Sequence, residues 1–297
     1  MKLLLIFNPV AGDGNHDELL QDLKIRVKEQ DLHCDIFTTS GNNDAKEIDE
    51  KLRSSDYTHV IAAGGDGTIS EVAKYSRKYD MPLGILPLGT SNGLARDLCI
   101  PKDPLQAFQL IIDSDHLIHL DTLIANDNYP FIHLGDVGAN ANLLARNEAT
   151  ASGKLRSAIN AFQELHSNEY FSYRIRTEEE ELEGSANMIS FCNAKRYGTG
   201  IPLTKKGQPN DGLFELVVFK DIKISTLLNS ALAAIDSGFL DQIDTRVIIS
   251  NAATVTLNAP QLMQLDGELI GERKQIELKI GEDKTTIVCN QNCPYLP

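Results

Sequence analysis

No stretch of this 297-residue chain approaches the roughly 20 consecutive apolar residues that a membrane-spanning helix needs. The apolar run Leu3 to Phe7 is too short for a signal-peptide core and passes straight into a loop, so the expectation is a cytoplasmic protein. Positive charge is also scarce. Against 42 acidic residues stand 28 basic ones, and the formal charge of −14 argues against a broad nucleic-acid-binding surface. Any anionic partner must then be met by a local patch. The five cysteines, Cys34, Cys99, Cys192, Cys289 and Cys293, are odd in number and sparse, which argues against a disulfide scaffold. Cys289 and Cys293 are close enough to pair or to bind metal, but no second pair has zinc-site spacing. Internal repeats and low-complexity segments are absent. With 42% hydrophobic residues the chain can bury substantial cores, and its length suggests about two domains.

The stretch that organises the first of these domains is His59-Val-Ile-Ala-Ala-Gly-Gly-Asp-Gly-Thr-Ile-Ser-Glu-Val-Ala73. A short apolar strand runs into a glycine-dense turn and leaves it as a helix. Gly64, Gly65 and Gly67 permit positive φ and let a ligand approach the backbone. Thr68 and Glu71 have capping-box spacing; with Thr68 as N-cap, the N–H groups and positive dipole end of the helix face the turn, where a phosphate could sit. Asp66 is the only charge inside the turn. A carboxylate beside phosphates repels them unless a cation intervenes, so Asp66 points to magnesium. An ordinary strand-to-helix turn remains open as the plainer alternative.

Around this stretch, strands at residues 2–7, 34–38, 60–63 and 83–86 alternate with helices. The pattern predicts a parallel sheet with helices on both faces and ligands at the carboxyl ends of the strands. Three loops fall at those ends, at residues 8–14, 64–68 and 88–96. After a helix expected at residues 104–112 the pattern changes and strands dominate: at 117–124, 129–134, 171–175, 186–192, 213–219, 246–250, 254–257, 275–280 and 285–289. We therefore expect an α/β domain over residues 1–124 and a mostly antiparallel β domain over 125–297, with the extreme C-terminus free to pack back on the first. Helices are expected near residues 139–147, 155–166 and 225–235.

Asn8-Pro-Val-Ala-Gly12, Gly64-Gly-Asp-Gly-Thr-Ile-Ser-Glu71 and Leu86-Pro-Leu-Gly-Thr-Ser-Asn-Gly-Leu-Ala-Arg96 resemble, in order and spacing, the three nucleotide-binding motifs of the diacylglycerol and sphingosine kinase family. The resemblance continues through Asp121, residues 131–141, Asn210-Asp-Gly-Leu213 and Leu265-Asp-Gly-Glu268. It implies an N-terminal α/β domain with a phosphofructokinase-like or NAD-kinase-like core, a C-terminal β-sandwich, and magnesium ATP phosphorylating a lipid hydroxyl in the cleft between them. Asn8, Gly64, Gly65, Asp66, Gly67, Thr68, Glu71, Gly89, Thr90 and Asn92 would meet the nucleotide, with Thr39 a further contact. Asp66 and Asp121 would belong to the acidic network around the catalytic magnesium, and Glu268 would be the general base. Asp211 and the carbonyls of Gln208 and Leu213 would hold a second, structural magnesium. The implied partner is a lipid at the membrane surface, met by a peripheral protein; formation of a homodimer is left open. A plain hairpin turn is the alternative for Asp211-Gly212 and for Asp266-Gly267, because Asp-Gly is a favoured turn pair.

Three positions depart from the family pattern. Gly93 stands where diacylglycerol-kinase-like members have an aspartate, although sphingosine kinases also carry a small residue there. Asn140 stands where an aspartate is common, and Ser70 replaces the usual asparagine. The alternatives to a lipid kinase are a kinase of a soluble substrate, since NAD kinases share the Gly-Gly-Asp-Gly-Thr turn, and a nucleotide-binding regulator that has lost catalysis. An apolar lining from Phe131, Leu143, Leu144 and Phe162 could hold an acyl chain, and Arg146, Lys154, Arg156, Lys205 and Lys206 could meet anionic headgroups; equally these are core and surface residues.

Overall fold

The computed structural model describes residues 1–12, 16–90, 92–139, 141–142, 170–194, 207–221 and 244–296. Two compact units emerge, one formed by Met1–Leu120 with Asp283–Pro297 and the other by Asp121–Glu282. The division thus comes slightly earlier in the chain than residue 124, and the last residues return to the first unit.

In the first unit, strands β1 (Lys2–Phe7), β2 (His33–Thr38), β3 (His59–Gly64), β4 (Leu83–Pro87), β5 (Leu117–Leu120) and β16 (Thr285–Val288) make one sheet in the order β2-β1-β3-β4-β16-β5. All contacts from β2 to β16 are parallel; only β5 runs antiparallel, against β16. β1, β3 and β4 are almost continuously buried, as uninterrupted apolar runs such as Leu3-Leu-Leu-Ile-Phe7 require of strands covered on both faces. The connecting helices are α1 (Asp17–Glu29), α2 (Asp44–Arg53), α3 (Asp66–Lys78), α4 (Gly93–Asp97) and α5 (Pro104–Asp113). Asp103 caps α5 by accepting the Gln106 N–H at 2.8 Å, with Pro104 in its first turn.

The second unit is a ten-stranded sheet in which every pairing is antiparallel. Its strands are β6 (Leu123–Ala125), β7 (Tyr129–Phe131), β8 (Leu134–Gly138), β9 (Phe171–Arg176), β10 (Glu181–Ala186), β11 (Met188–Cys192), β12 (Phe214–Phe219), β13 (Thr245–Ser250), β14 (Ala252–Leu265) and β15 (Glu268–Ile280). β14 pairs along one side with β15 and along the other with β9 at its start and β8 at its end. Phe171, Tyr173 and Ile175 of β9 share one core with Phe214, Leu216 and Val218 of β12, although these strands are not neighbours in the sheet. The sheet therefore folds over on itself as a sandwich.

Three expected strands prove to be two each. The run at 117–124 breaks at Asp121, whose N–H goes to the Pro209 carbonyl at 2.6 Å and whose carbonyl accepts from Asn193 Nδ2 at 2.8 Å. The run at 129–134 breaks at Ile132 and His133, whose N–H groups go to the Asp266 carboxylate. The run at 186–192 breaks at Asn187, which bonds Phe219 and Ala139. Main-chain groups with such partners cannot also pair in a ladder. The helices expected at 155–166 and 225–235, most of 139–147, the acyl-chain residues Leu143, Leu144 and Phe162, and the basic residues Arg146, Lys154, Arg156, Lys205 and Lys206 lie outside the described residues.

Among the described residues no helix is long and apolar enough to cross a membrane. None of the five cysteines is in a disulfide. The Cys289 thiol bonds the Cys293 sulfur, which also accepts from the Tyr295 and Leu296 backbone, and this draws Cys293 down to about 7 while the Cys289 thiol is raised.

β16 joins β4 to β5 from the far end of the chain, with Ile287 fully buried between them. Ile287→Ala should lower the stability of the first unit by about 2–5 kcal/mol in urea titration. A loss below about 1 kcal/mol would mean that the sheet does not depend on this strand.

Candidate functional site

Parallel pairing brings the carboxyl ends of β2, β1, β3 and β4 to one edge of the sheet. Backbone bonds continue past the strands there: Thr39 N–H to Phe7 carbonyl, Asn8 N–H to Ala63 carbonyl and Leu88 N–H to Gly64 carbonyl, each 2.9 Å. The loops carrying Asn8, Gly64 to Thr68, Gly89 to Asn92 and Thr39 therefore lie side by side.

Contact between these loops is so close that glycine is required at several points. A Cβ on Gly12, which has φ +62°, would lie 2.3 Å from the Leu88 carbonyl oxygen, and one on Gly89 would lie 2.5 Å from Gly65 Cα. A Cβ on Gly64 would fall 2.3 Å from the Thr68 hydroxyl. Gly67 is different: nothing lies within 4 Å of where its Cβ would be, so the backbone there is open. None of Gly64, Gly65 and Gly67 uses a positive φ, so at Gly64 the glycine serves close approach instead of an unusual backbone angle, while a Cβ on Gly65 would meet Gly89 Cα only at 3.4 Å.

The helix after this turn starts earlier than its capping-box spacing suggests. Gly65 is the N-cap of α3 and Ile69 N–H bonds the Gly65 carbonyl at 3.0 Å, which puts Asp66, Gly67 and Thr68 in the first turn. Thr68 is thus not the cap. Its hydroxyl accepts from Asn8 Nδ2 at 3.1 Å, tying the first loop to the helix, and Glu71 pairs with Lys74 at 2.5 Å. The N–H groups of Gly67 and Thr68 have no intrahelical acceptor by helix geometry and point out of the helix start, a place suited to an anion. Asp66 is half-buried beside them.

The third loop is closed by Asn92, held at φ +49°, whose Oδ1 accepts the Gly89 N–H at 2.9 Å and whose Nδ2 donates to the Gly89 carbonyl at 2.5 Å. Both ends of that amide serve the loop, and Thr90 is left exposed on it. Gly93 is the first residue of α4 and is buried.

In the second unit the chain joins other residues singled out from the sequence. Asp121 is buried, and its Oδ2 accepts the Gly212 N–H at 2.7 Å, which sets it directly against the loop of Gln208, Asp211 and Leu213. Asp211 accepts the Leu213 N–H at 3.0 Å, and Gly212 has φ +79°. Asp211, Gln208 and Leu213 are exposed. One carboxylate and main-chain carbonyls are hard oxygen donors of the kind magnesium takes. Among the described residues no group of three or more His, Cys, Asp or Glu side chains is gathered as a metal cluster.

Residues 2–122 match the diacylglycerol kinase catalytic domain, and residues 133–278 match the YegS C-terminal NAD kinase beta sandwich-like domain. A probable lipid kinase YegS-like from Klebsiella pneumoniae is 30% identical over 285 residues, covering 93% of this chain and 92% of that protein. The chain belongs to the diacylglycerol kinase and YegS-like lipid kinase family. An uncharacterized Synechocystis protein, sll0036, is 29% identical across 90% of the chain, which spans 65% of its length. Among solved structures, a diacylglycerol kinase from Bacillus anthracis superposes with TM-score 0.71 at 22% identity over 98% of this chain and 97% of that one. An NAD kinase from Archaeoglobus fulgidus in complex with ATP superposes with TM-score 0.57 at 12% identity over 99% and 95%. These last two likenesses establish the two-domain fold.

Glu268 of this lipid kinase homologue is exposed and opens β15, directly after a tight turn with Asp266 at φ +48° and Gly267 at φ +89°. Left-handed angles at both positions make the turn type I′, which explains the Asp-Gly pair. The turn is more than a reversal. The Asp266 carboxylate, 7% exposed, accepts N–H groups from Ile132, His133 and Leu134 at 2.9–3.0 Å, and the Asp266 N–H donates to the Leu134 carbonyl at 2.7 Å. Asp266 thus pins the hairpin to the start of β8. Sequence reasoning read Asp-Gly as a turn or as part of the site and missed this anchor; the only local sign was an aspartate where asparagine serves a type I′ turn equally well. Asn140 lies outside the described residues, and Ser70 is buried in α3.

Gly89→Ala should force the second and third loops apart. We expect a loss of about 1–3 kcal/mol in denaturant titration, as for other overpacked sites, whereas Gly67→Ala, with open space around it, should be close to neutral beyond its helix-propensity gain. Equal effects of the two substitutions would remove the close approach of Gly89 to Gly65 as a structural constraint.

Proposed function

We propose that this chain is an ATP-dependent lipid kinase that transfers the γ-phosphate to the hydroxyl of a diacylglycerol-like or sphingoid-like lipid. The single observation that carries the reading is the edge where Asn8, the Gly64 to Thr68 turn and the Gly89 loop are held together at the start of α3. The family membership supports it: relatives carry lipid kinase names. In this reading the N–H groups of Gly67 and Thr68 bind phosphate oxygens, with Gly64 and Gly89 keeping side chains out of the way and Gly65, Thr39, Glu71, Thr90 and Asn92 bordering the nucleotide.

Asp66, Asp121 and Asp211 would be the carboxylates that hold magnesium, the last with the carbonyls of Gln208 and Leu213; bound magnesium would neutralise phosphate charge. Glu268 would accept the proton of the lipid hydroxyl as its oxygen forms the new bond to phosphorus and the bond to the bridging oxygen breaks, releasing ADP. A lipid acceptor implies a protein working peripherally at a membrane surface. The hairpin anchoring gives Glu268 a defined position, which a general base needs.

Labelled-phosphate transfer from ATP to dioctanoylglycerol, sphingosine and NAD, each offered separately, tests the acceptor class. Product from either lipid supports the reading; product from NAD alone would favour a soluble-substrate kinase, and product from none a regulator. Within the active assay, Glu268→Gln should lower turnover at least about a hundredfold with ATP affinity nearly unchanged. Near-normal turnover would return Asp266-Gly267-Glu268 to an ordinary hairpin. Asp66→Asn, nearly isosteric, should keep the fold by circular dichroism and lose most transfer; an active variant would make the turn purely structural.

A further inference from the structure

Behind the Glu268 hairpin lies a polar row that its proposed chemistry does not yet use. Ser190 of β11, Asp136 of β8 and Gln264 of β14 stand opposite one another across three neighbouring strands. Their strand neighbours Ile189, Val137, Met263 and Leu265 belong to the sandwich core, so by strand alternation this row lies on the other sheet face. It is nonetheless buried: Asp136 and Ser190 are 0% exposed and Gln264 is 2% exposed. A buried carboxylate is expensive to desolvate, and apolar residues in such places are often more stabilising. Stability alone therefore gives no reason for Asp136.

The hydrogen bonds supply another reason. Gln264 Nε2 donates to Asp136 Oδ2 at 2.5 Å, and Gln264 Oε1 accepts the Gly267 N–H at 2.8 Å. The two contacts fix the amide: turned over, it would set its oxygen against the carboxylate and its NH₂ against an N–H donor. Gly267 is the residue immediately before Glu268. The Asp266 carboxylate also pins the same turn, to residues 132–134.

We infer that Asp136 and Gln264 are positioning residues, forming a hydrogen-bond relay that holds the Gly267 amide and thereby sets where the Glu268 carboxylate stands. The inference rests on the proposed role of Glu268 as base. Neither residue touches the reacting atoms; the relay acts through the hairpin. Its polarity is directional, running from the amide donor of Gln264 to the acceptor of Asp136 and from the amide of Gly267 to the acceptor of Gln264.

That directionality makes the test. Gln264→Glu keeps an acceptor for Gly267 but sets a second carboxylate against Asp136, in place of the donor. Adding Asp136→Asn restores the match, because the new amide can donate to one oxygen of the glutamate while the other oxygen keeps Gly267. Two measurements on the full chain are made: hydrogen exchange of peptides spanning residues 263–268, and turnover with dioctanoylglycerol and with sphingosine. For Gln264→Glu we expect exchange at Gly267 to rise about tenfold, as a lost hydrogen bond loosens the turn. Turnover should fall about 10- to 100-fold with KM for ATP unchanged, the size expected for a displaced catalytic group.

The double variant should recover most of both, a coupling that general destabilisation would not produce. If Gln264→Glu does not fold, the nearly isosteric Gln264→Met, which lacks both contacts, should show the same two losses. Parental exchange and turnover in the single variant overturn the inference, as does a double variant no better than the single. The base reading fails separately, through a fully active Glu268→Gln, while the exchange data still report on the relay.

Discussion

Parallel pairing is the constraint on which the first unit depends. Once β2, β1, β3 and β4 lie parallel and in register, their carboxyl ends must share one edge, whatever loops follow. Each of three of these loops then begins with an N–H bonded to the adjoining strand end, Thr39 to Phe7, Asn8 to Ala63 and Leu88 to Gly64. Motifs dozens of residues apart are made contiguous by main chain alone. Side chains only refine the arrangement: the Asn8 amide reaches Thr68, Asn92 closes its own loop, and Gly12, Gly64 and Gly89 stand where any Cβ would collide.

This is why so much of the candidate site could be read in the sequence. Strand and loop boundaries here follow local rules: unbroken apolar runs such as Leu3 to Phe7, then breakers at Pro9 and Gly12, at Gly64 and Gly65, and at Gly89. What escaped reading depends on partners far away in the chain. The alternation of residues 117–124 runs on through Asp121, yet Pro209 and Asn193 take that residue's main-chain groups. Ile132 and His133 look like strand and are diverted by Asp266. At α3 the error was local. Thr68-Ile-Ser-Glu71 satisfies the spacing of a capping box, but helical bonding already begins at the Gly65 carbonyl, three residues upstream.

In the second unit the same accounting explains two turns that carry candidate site residues. The Asp-Gly pairs at 211–212 and 266–267 both make turns with positive φ at glycine, and both are gripped by carboxylates: Asp121 holds the Gly212 amide, and Asp266 holds three amides of its neighbouring segment. A carboxylate that accepts backbone N–H groups gives charge-assisted bonds, stronger than those of a neutral turn residue. A turn at either pair is therefore compatible with the proposed site role. The turn geometry brings Glu268 and Asp211 to the surface, and the buried carboxylates fix where.

The order of the chain adds a last consequence. β16 lies between β4 and β5, yet it is made only after the whole of the second unit. Until residues 285–288 arrive, β4 has a bare edge, and the buried Ile118 and Leu120 of β5 have no strand to pair with. The N-terminal 120 residues contain all three loops of the nucleotide edge but not the strand that completes their sheet. Arg77, from the end of α3, reaches this same late strand through the Thr285 hydroxyl at 2.9 Å. The helix whose first turn carries Asp66 is thus tied at its far end to the last strand of the protein. The sheet whose edge carries these loops is thus completed by the final segment of the chain.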